Sequence, residues 1–428
     1  MPAAFHPPRP HPLVIGAVNC IFPLFLRVHD QLTRIVLDEV STARLRDAVS
    51  GRALLIANHP SESEPVVLYG LSRLLGRQFY FVATHEIFHG ARGWVTNRVG
   101  AFSIHRGRPD RTSLRMSRTL LAEQDQKLVL FPEGETHMQN DLVLPFHSGA
   151  VQIGFWVLER LEELGRAPQL PVIPVAVRYR YVGDPTPALT RGLGRLETHL
   201  GLCPTEAPGG TLADRLVYAG VAVLEGIERE YAFPPAPRRI EAAALDARIA
   251  TLYRHIGQRV AQVLNVPFPQ EEPVPVGMRI LFNATFDFQD ALAHGKTRYT
   301  RRLYRRRAGA ARTCLHDLWR LQNFMVISGD CLAPPVSAER FGEVLWRLEV
   351  EVTGRAHTRP LREAVVRVAE PLALETCLPH YRRNRREAVA ACCAELETRL
   401  RAQLESTVAL GRPMADRCDP QRRNLGPP

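Results

Sequence analysis

Four short apolar runs, each closed by a turn signal and separated by helical stretches, constrain the first 190 residues most. Ala53-Leu54-Leu55-Ile56-Ala57 ends at once in Asn58-His59-Pro60, and Gln78–Ala83, Lys127–Phe131 and Pro171–Tyr179 are of the same kind. Runs this short, bounded by turn residues, read as buried strands rather than helices. Helical stretches lie between them, for example Thr112–Gln126. Strands separated by helices make an α/β fold: a mixed, mostly parallel sheet flanked by helices. Pro174 sits inside the fourth run, where proline is disfavoured, so something local has to accommodate it.

The texture changes after about residue 195. Leu212–Tyr231 and Ala242–Leu264 are amphipathic helices, the second carrying Leu245, Ile249, Leu252, Ile256, Val260 and Val263 at helical spacing. Residues 234–239 link the two, and Pro267–Pro275 is a proline-rich break. A strand signal returns at Ala364–Val368, followed by Glu370-Pro371 and a last helix from about Pro379 to Leu404. There is no internal repeat.

A chain of 428 residues suits two domains, or one domain with a large insertion, and its 45% hydrophobic and 23% charged residues are globular values. The net charge is +11, carried almost wholly by arginine, with lysine only at 127 and 296. That bias, with abundant alanine and proline, points to a GC-rich genome more than to a binding function. A basic surface can meet nucleic acid, an anionic membrane or a phosphate-bearing substrate, and charge alone does not choose. The eight cysteines form no CxxC pair, so neither a zinc site nor a disulfide framework is expected, and a reducing cytosolic compartment fits best.

Two further segments bear on partners. Leu13–Leu26 is apolar but too short to span a bilayer, which takes about 20 residues, and no cleavage site follows it. An interfacial anchor and a helix packed on the core both remain open. Residues 296–312 interleave arginines with Tyr299, Leu303 and Tyr304. Such a stretch suits an anionic membrane, an acidic carrier protein or, in an arginine-rich chain, a solvated helix face. No nucleic-acid-binding motif accompanies it, so no specific nucleic acid is expected.

The chemistry-bearing residues fall at the ends of the predicted strands. After the first comes Asn58-His59-Pro60-Ser61-Glu62-Ser63-Glu64. Pro60 is suited to a first helical position, which puts His59 at a strand-to-helix switch with Glu64 a turn further on. A carboxylate there can fix the imidazole tautomer and make His59 a general base; Glu62 is the less favoured partner. The second cluster is Gly100-Ala101-Phe102-Ser103-Ile104-His105-Arg106, ending in a guanidinium suited to phosphate. The third is Phe131-Pro132-Glu133-Gly134-Glu135-Thr136, where glycine permits close approach to the backbone. The fourth is Val172-Ile173-Pro174-Val175.

In order and separation these clusters resemble the four blocks of the 1-acylglycerol-3-phosphate acyltransferase-like (glycerolipid acyltransferase) family: His-x4-Asp, Gly-to-Arg, Phe-Pro-Glu-Gly and Val-x-Pro. The resemblance implies a bacterial-type enzyme at the cytoplasmic face of the membrane, peripheral or interfacially anchored. It would move a fatty acyl group from acyl-CoA or acyl-carrier protein to a lysophospholipid hydroxyl. His59 and Glu64 would be catalytic, and Arg106, Gly100, Glu133, Gly134 and Thr136 would bind substrate. Acyl-CoA or acyl-carrier protein is co-substrate, and neither metal nor cofactor is implied. Two departures stand out: Glu64 replaces the family's Asp, and Glu135-Thr136 replaces the usual Thr-Arg or Thr-Ser. Another lipid hydroxyl as acceptor, or a non-catalytic lipid-binding protein of the same fold, are the alternatives. The expected organisation is a membrane-interface segment (1–30), an acyltransferase core (31–199), a helical insertion (200–355), a closing strand and helix of the core (356–410) and a loose tail (411–428).

Overall fold

The computed structural model describes residues 5–105, 110–207, 209–234, 242–293, 298–324, 336–411 and 414. The chain divides into two compact units. The first comprises Met1–Tyr179, Phe286–Tyr304 and Arg362–Leu410, and holds the sheet. Its elements begin with α1 (Pro12–Val28), β1 (Leu32–Leu37), α2 (Glu39–Ala48), β2 (Ala53–Ala57), α3 (Glu64–Leu75) and β3 (Phe79–Thr84). They continue through α4 (Gly90–Arg98), β4 (Ala101–Ile104), α5 (Arg111–Arg118), β5 (Lys127–Leu130), α6 (Gly149–Glu163) and β6 (Pro171–Tyr181).

The second unit comprises Arg180–Thr285, Arg305–Leu361 and Gly411–Pro428. It is built on α7 (Thr186–Leu200), α8 (Leu212–Glu230), α9 (Ala242–Leu264) and α12 (Ala338–Thr353), with α10 (Val274–Ala293) as far as Thr285 and α11 (Arg298–Phe324) from Arg305 on. After it the chain re-enters the sheet as β7 (Arg362–Val368) and closes with β8 (Leu372–Ala373), α13 (Leu378–Arg383) and α14 (Arg385–Glu405).

The strand order is β1-β7-β6-β2-β5-β3-β4, with β8 off this path and antiparallel to β6. β2 runs parallel to both β5 and β6, and all five of its residues are buried. Its alternation feeds two cores. Leu54 and Ile56 pack with Phe155, Leu158 and Leu396, whereas Ala53, Leu55 and Ala57 pack with Phe22, Leu45, Val67 and Leu71. A strand covered on both faces is continuously apolar, which is what residues 53–57 show. The expected mixed, mostly parallel sheet with flanking helices is therefore the fold.

Pro174 is accommodated where β6 changes partner. Its carbonyl accepts the N–H of Ala369 at 3.0 Å, while Pro171 and Val172 pair with β8. The N–H and C=O of one strand residue point the same way, so the donor that proline lacks would face the transition from β8 to β7.

Several boundaries differ from the sequence expectation. α3 starts at Glu64 with Pro65 in its first turn, not at Pro60. Residues 58–63 form a loop instead, because the Ser61 hydroxyl bonds the N–H of Ser63 and competes with helix formation. The helix expected over Thr112–Gln126 is capped by Asp110 and widens into a π-turn at Thr119–Glu123. The last helix is two, broken at extended Asn384, whose side chain caps α14.

In the helical unit, α12 packs on α7 and α8, and Arg215 makes a two-pronged bond to Glu197 at 2.8 and 2.6 Å. Along α11, Ala311, Cys314, Leu318 and Leu321 are buried, while Arg302, Arg307 and Arg312 are exposed. Part of the basic stretch is thus the solvent face of an amphipathic helix; Lys296 lies outside the described residues, as do residues 235–239 of the first linker.

Candidate active site

The site is built where β2 stops. Its ladder with β6 runs to Ala57 opposite Val175. Asn58 is fully buried; its side chain donates to the Val177 carbonyl at 2.9 Å and accepts the Val177 N–H at 2.7 Å. The amide thus replaces one further backbone residue, which frees the main chain to leave the sheet. Asn140 does the same at Tyr179, accepting its N–H at 2.8 Å and donating to its carbonyl. His59 follows immediately, at the carboxyl edge of the sheet, where α/β folds bind ligands.

His59 Nδ1 lies 2.7 Å from Glu64 Oε2. With Nδ1–H donating to a carboxylate, the ring's lone pair sits on Nε2. The ring stacks on Phe131 at 4.3 Å between centroids and keeps 17% of its side-chain surface exposed. Glu64 is wholly buried, so its charge has to be paired inside the protein. Besides His59 it accepts the Ser61 N–H at 3.0 Å, the Ser61 hydroxyl at 2.6 Å and the Tyr179 hydroxyl at 2.5 Å. Its place at the first residue of α3 adds the favourable end of the helix dipole. Glu62, by contrast, is exposed.

The turn after β5 fixes His59 from the other side. Glu133 is fully buried and takes two backbone N–H groups, His59 at 2.9 Å on Oε1 and Leu144 at 2.9 Å on Oε2. His137 Nε2 is also 2.9 Å from Oε2. Glu133 therefore acts on the site through the chain, tying the His59 backbone to the 144 loop. Gly134 has φ +78°, and a Cβ there would come within 2.7 Å of the His147 ring. Only glycine fits that turn without displacing His147. Thr136 is half-buried a little further along the same loop.

Not every expected residue comes together with His59. Gly100 precedes β4, at the amino edge of the parallel sheet and so at the opposite end from His59. Its φ of +106° and the contact its Cβ would make with Gln78 Nε2 at 2.5 Å give it a structural task. A four-residue strand, about 13 Å long, separates it from the carboxyl edge that His59 occupies. Arg106 lies outside the described residues; His105 before it stacks on His85 at 5.4 Å.

Sequence reasoning missed the supports of Glu64. Tyr179 carries the Arg362 guanidinium over its ring at 4.2 Å. Arg362 bonds the Ser63 hydroxyl at 3.0 Å, which bonds Asp30 at 2.7 Å. Burial and the Glu64 charge push the Tyr179 phenol well above its ordinary range, so it stays a donor.

Comparison with known proteins finds a likeness in the part of the chain that carries this site. Residues 34–178, from β1 through most of β6, match the Acyltransferase family. In this segment the chain is similar to that family. Within the matched segment lie His59, Glu64 and the Glu133-Gly134 turn. A 1-acyl-sn-glycerol-3-phosphate acyltransferase of Streptococcus pneumoniae (strain ATCC BAA-255 / R6) is 31% identical over 90 residues, which are 21% of this chain and 33% of that protein. The chain thus spans about a third of the length of this curated relative. No solved structure matches the chain.

Proposed function

We propose that the chain transfers a fatty acyl group from a thioester, acyl-CoA or acyl-carrier protein, to a hydroxyl of a lysophospholipid such as 1-acylglycerol-3-phosphate. The observation that carries this is the 2.7 Å contact of His59 with buried Glu64 at the carboxyl edge of an Acyltransferase-family sheet. His59 Nε2 takes the proton of the acceptor hydroxyl as its oxygen attacks the thioester carbonyl. The tetrahedral adduct collapses, the C–S bond breaks, and the proton on Nε2 passes to the leaving thiolate. Glu64 holds the tautomer and stabilises the imidazolium. By the family resemblance, Arg106 would hold the acceptor's phosphate, with Glu133, Gly134 and Thr136 shaping its surroundings; the bonds of Glu133 to the His59 and Leu144 backbone favour a holding part for that residue instead.

Purified protein given lysophosphatidic acid and long-chain acyl-CoA should release free thiol and form diacylated product. A parallel arm uses acyl-carrier-protein thioester as donor. Product only with another lipid hydroxyl would move the acceptor; no thiol release with any donor or lipid hydroxyl would overturn acyl transfer and leave a lipid-binding protein. The replacement of Asp by Glu does not favour that outcome, since Glu64 reaches His59.

The same proposal places the protein at an anionic membrane surface. α1 buries Phe22 and Leu26 but exposes Leu13, Ile21, Leu24, Phe25 and Val28 along its other side. Trp94 on α4 is half-exposed, with Arg98 over its ring at 5.0 Å. Neither α1 nor α4 carries an acidic residue. No helix among the described residues is long and apolar enough to cross a membrane, so α1 would lie in the interface. The double variant Ile21→Ser, Leu24→Ser should lower binding to anionic phospholipid vesicles at least about ten-fold, because each side chain contributes roughly 1.5–3 kcal/mol when buried. Sedimentation with vesicles measures this; undiminished binding would exclude this face.

A further inference from the structure

We propose that Tyr179 is a positioning residue which, with the Ser61 hydroxyl, holds Glu64 so that its longer side chain presents one oxygen to His59 Nδ1. The proposal rests on the assignment of His59 as general base. A glutamate has one more rotatable bond than an aspartate, so on its own it would hold an imidazole less firmly. Here that freedom is removed. Oε2 faces His59 Nδ1 at 2.7 Å and the Ser61 N–H at 3.0 Å, while Oε1 takes the hydroxyls of Ser61 at 2.6 Å and Tyr179 at 2.5 Å. The two ends of the carboxylate are thus given separate tasks.

Tyr179 is itself fixed. Asn140 pairs with its backbone, and the Arg362 guanidinium covers its ring at 4.2 Å while bonding Ser63, two residues from Ser61. The raised phenol keeps its proton and cannot add a second negative charge beside Glu64. An aspartate, one methylene shorter, would draw its carboxylate back towards the α3 backbone, away from the positions where Glu64 meets His59 and Tyr179.

The test uses the full chain labelled with ¹⁵N-histidine. At neutral pH the His59 ring of the native protein should show a single tautomer, Nδ1 protonated and Nε2 bare; a His59→Gln variant assigns the signals. Tyr179→Phe should give averaged ring shifts. It should also lower kcat about ten-fold or more, the scale of one lost hydrogen bond to a charged group, with KM unchanged. Ser61→Ala, which keeps the backbone N–H, should act in the same direction and serves if Tyr179→Phe does not fold. In a Glu64→Asp background, Tyr179→Phe should add little, because the shorter side chain has already lost the phenol. Native ring shifts in both Tyr179→Phe and Ser61→Ala, or effects of Tyr179→Phe and Glu64→Asp that simply multiply, would overturn the proposal. If the native protein transfers no acyl group, the acyl-transfer proposal falls, while the tautomer comparison still judges Tyr179.

Discussion

Replacing His59 by alanine is expected to lower kcat for acyl transfer by roughly 10²- to 10⁴-fold, the range of a lost general base, with little change in KM. The base acts on a proton that moves only in the transition state, so kcat and kcat/KM should fall together. Stability should change far less. The imidazole gives up a stack on Phe131 and one bond to Glu64, yet Glu64 keeps three donors, from Ser61 twice and Tyr179 once. Such a loss is worth about 1–2 kcal/mol. Thermal melting of the variant beside steady-state kinetics separates the two effects. A variant that melts like the native protein and turns over at the native rate would sink His59 as the base.

How much of this site could be read from the chain depends on how local each contact is. Ala53–Ala57 is legible because a strand covered on both faces has to be apolar throughout. His59 and Glu64 are legible because five residues of loop and helix start bring them together. The start of α3 was not: Pro60 and Ser61 look like a helix start, but the Ser61 side chain bonds Ser63 and Glu64 instead of yielding the turn. Gly100 and Arg106 read as one block, although a strand separates the glycine from the edge of the sheet that His59 occupies. β1 went unread because Thr33 and Arg34 interrupt an edge strand whose partner, β7, lies more than 300 residues away. Tyr179 and Arg362 carry no local signal at all. They reach Glu64 and Ser63 across 115 and 299 residues, through the register of β6 and β7. The sheet order that brings them there is a property of the whole fold, and no spacing in the chain encodes it.

Glu133 gives the second large effect, and its variants distinguish holding the chain from touching a ligand. In Glu133→Ala, the N–H groups of His59 and Leu144 lose their acceptor in a buried setting. An orphaned buried donor costs about 1–3 kcal/mol, so the variant should be destabilised by about 3–5 kcal/mol, a large part of an ordinary domain's stability. Glu133→Gln has nearly the same shape but only one accepting oxygen; its amide nitrogen would face an N–H that also donates. It should therefore be almost as damaging as alanine, although it fills the same space. Urea denaturation measures both. Activity should fall with stability, because the His59 backbone loses its tether and an error of about 1 Å in a reacting group can cost 10²-fold in rate. If Glu133 instead served the substrate directly, Glu133→Gln would melt like the native protein and change KM alone. That result would move Glu133 from the frame of the site into its binding surface.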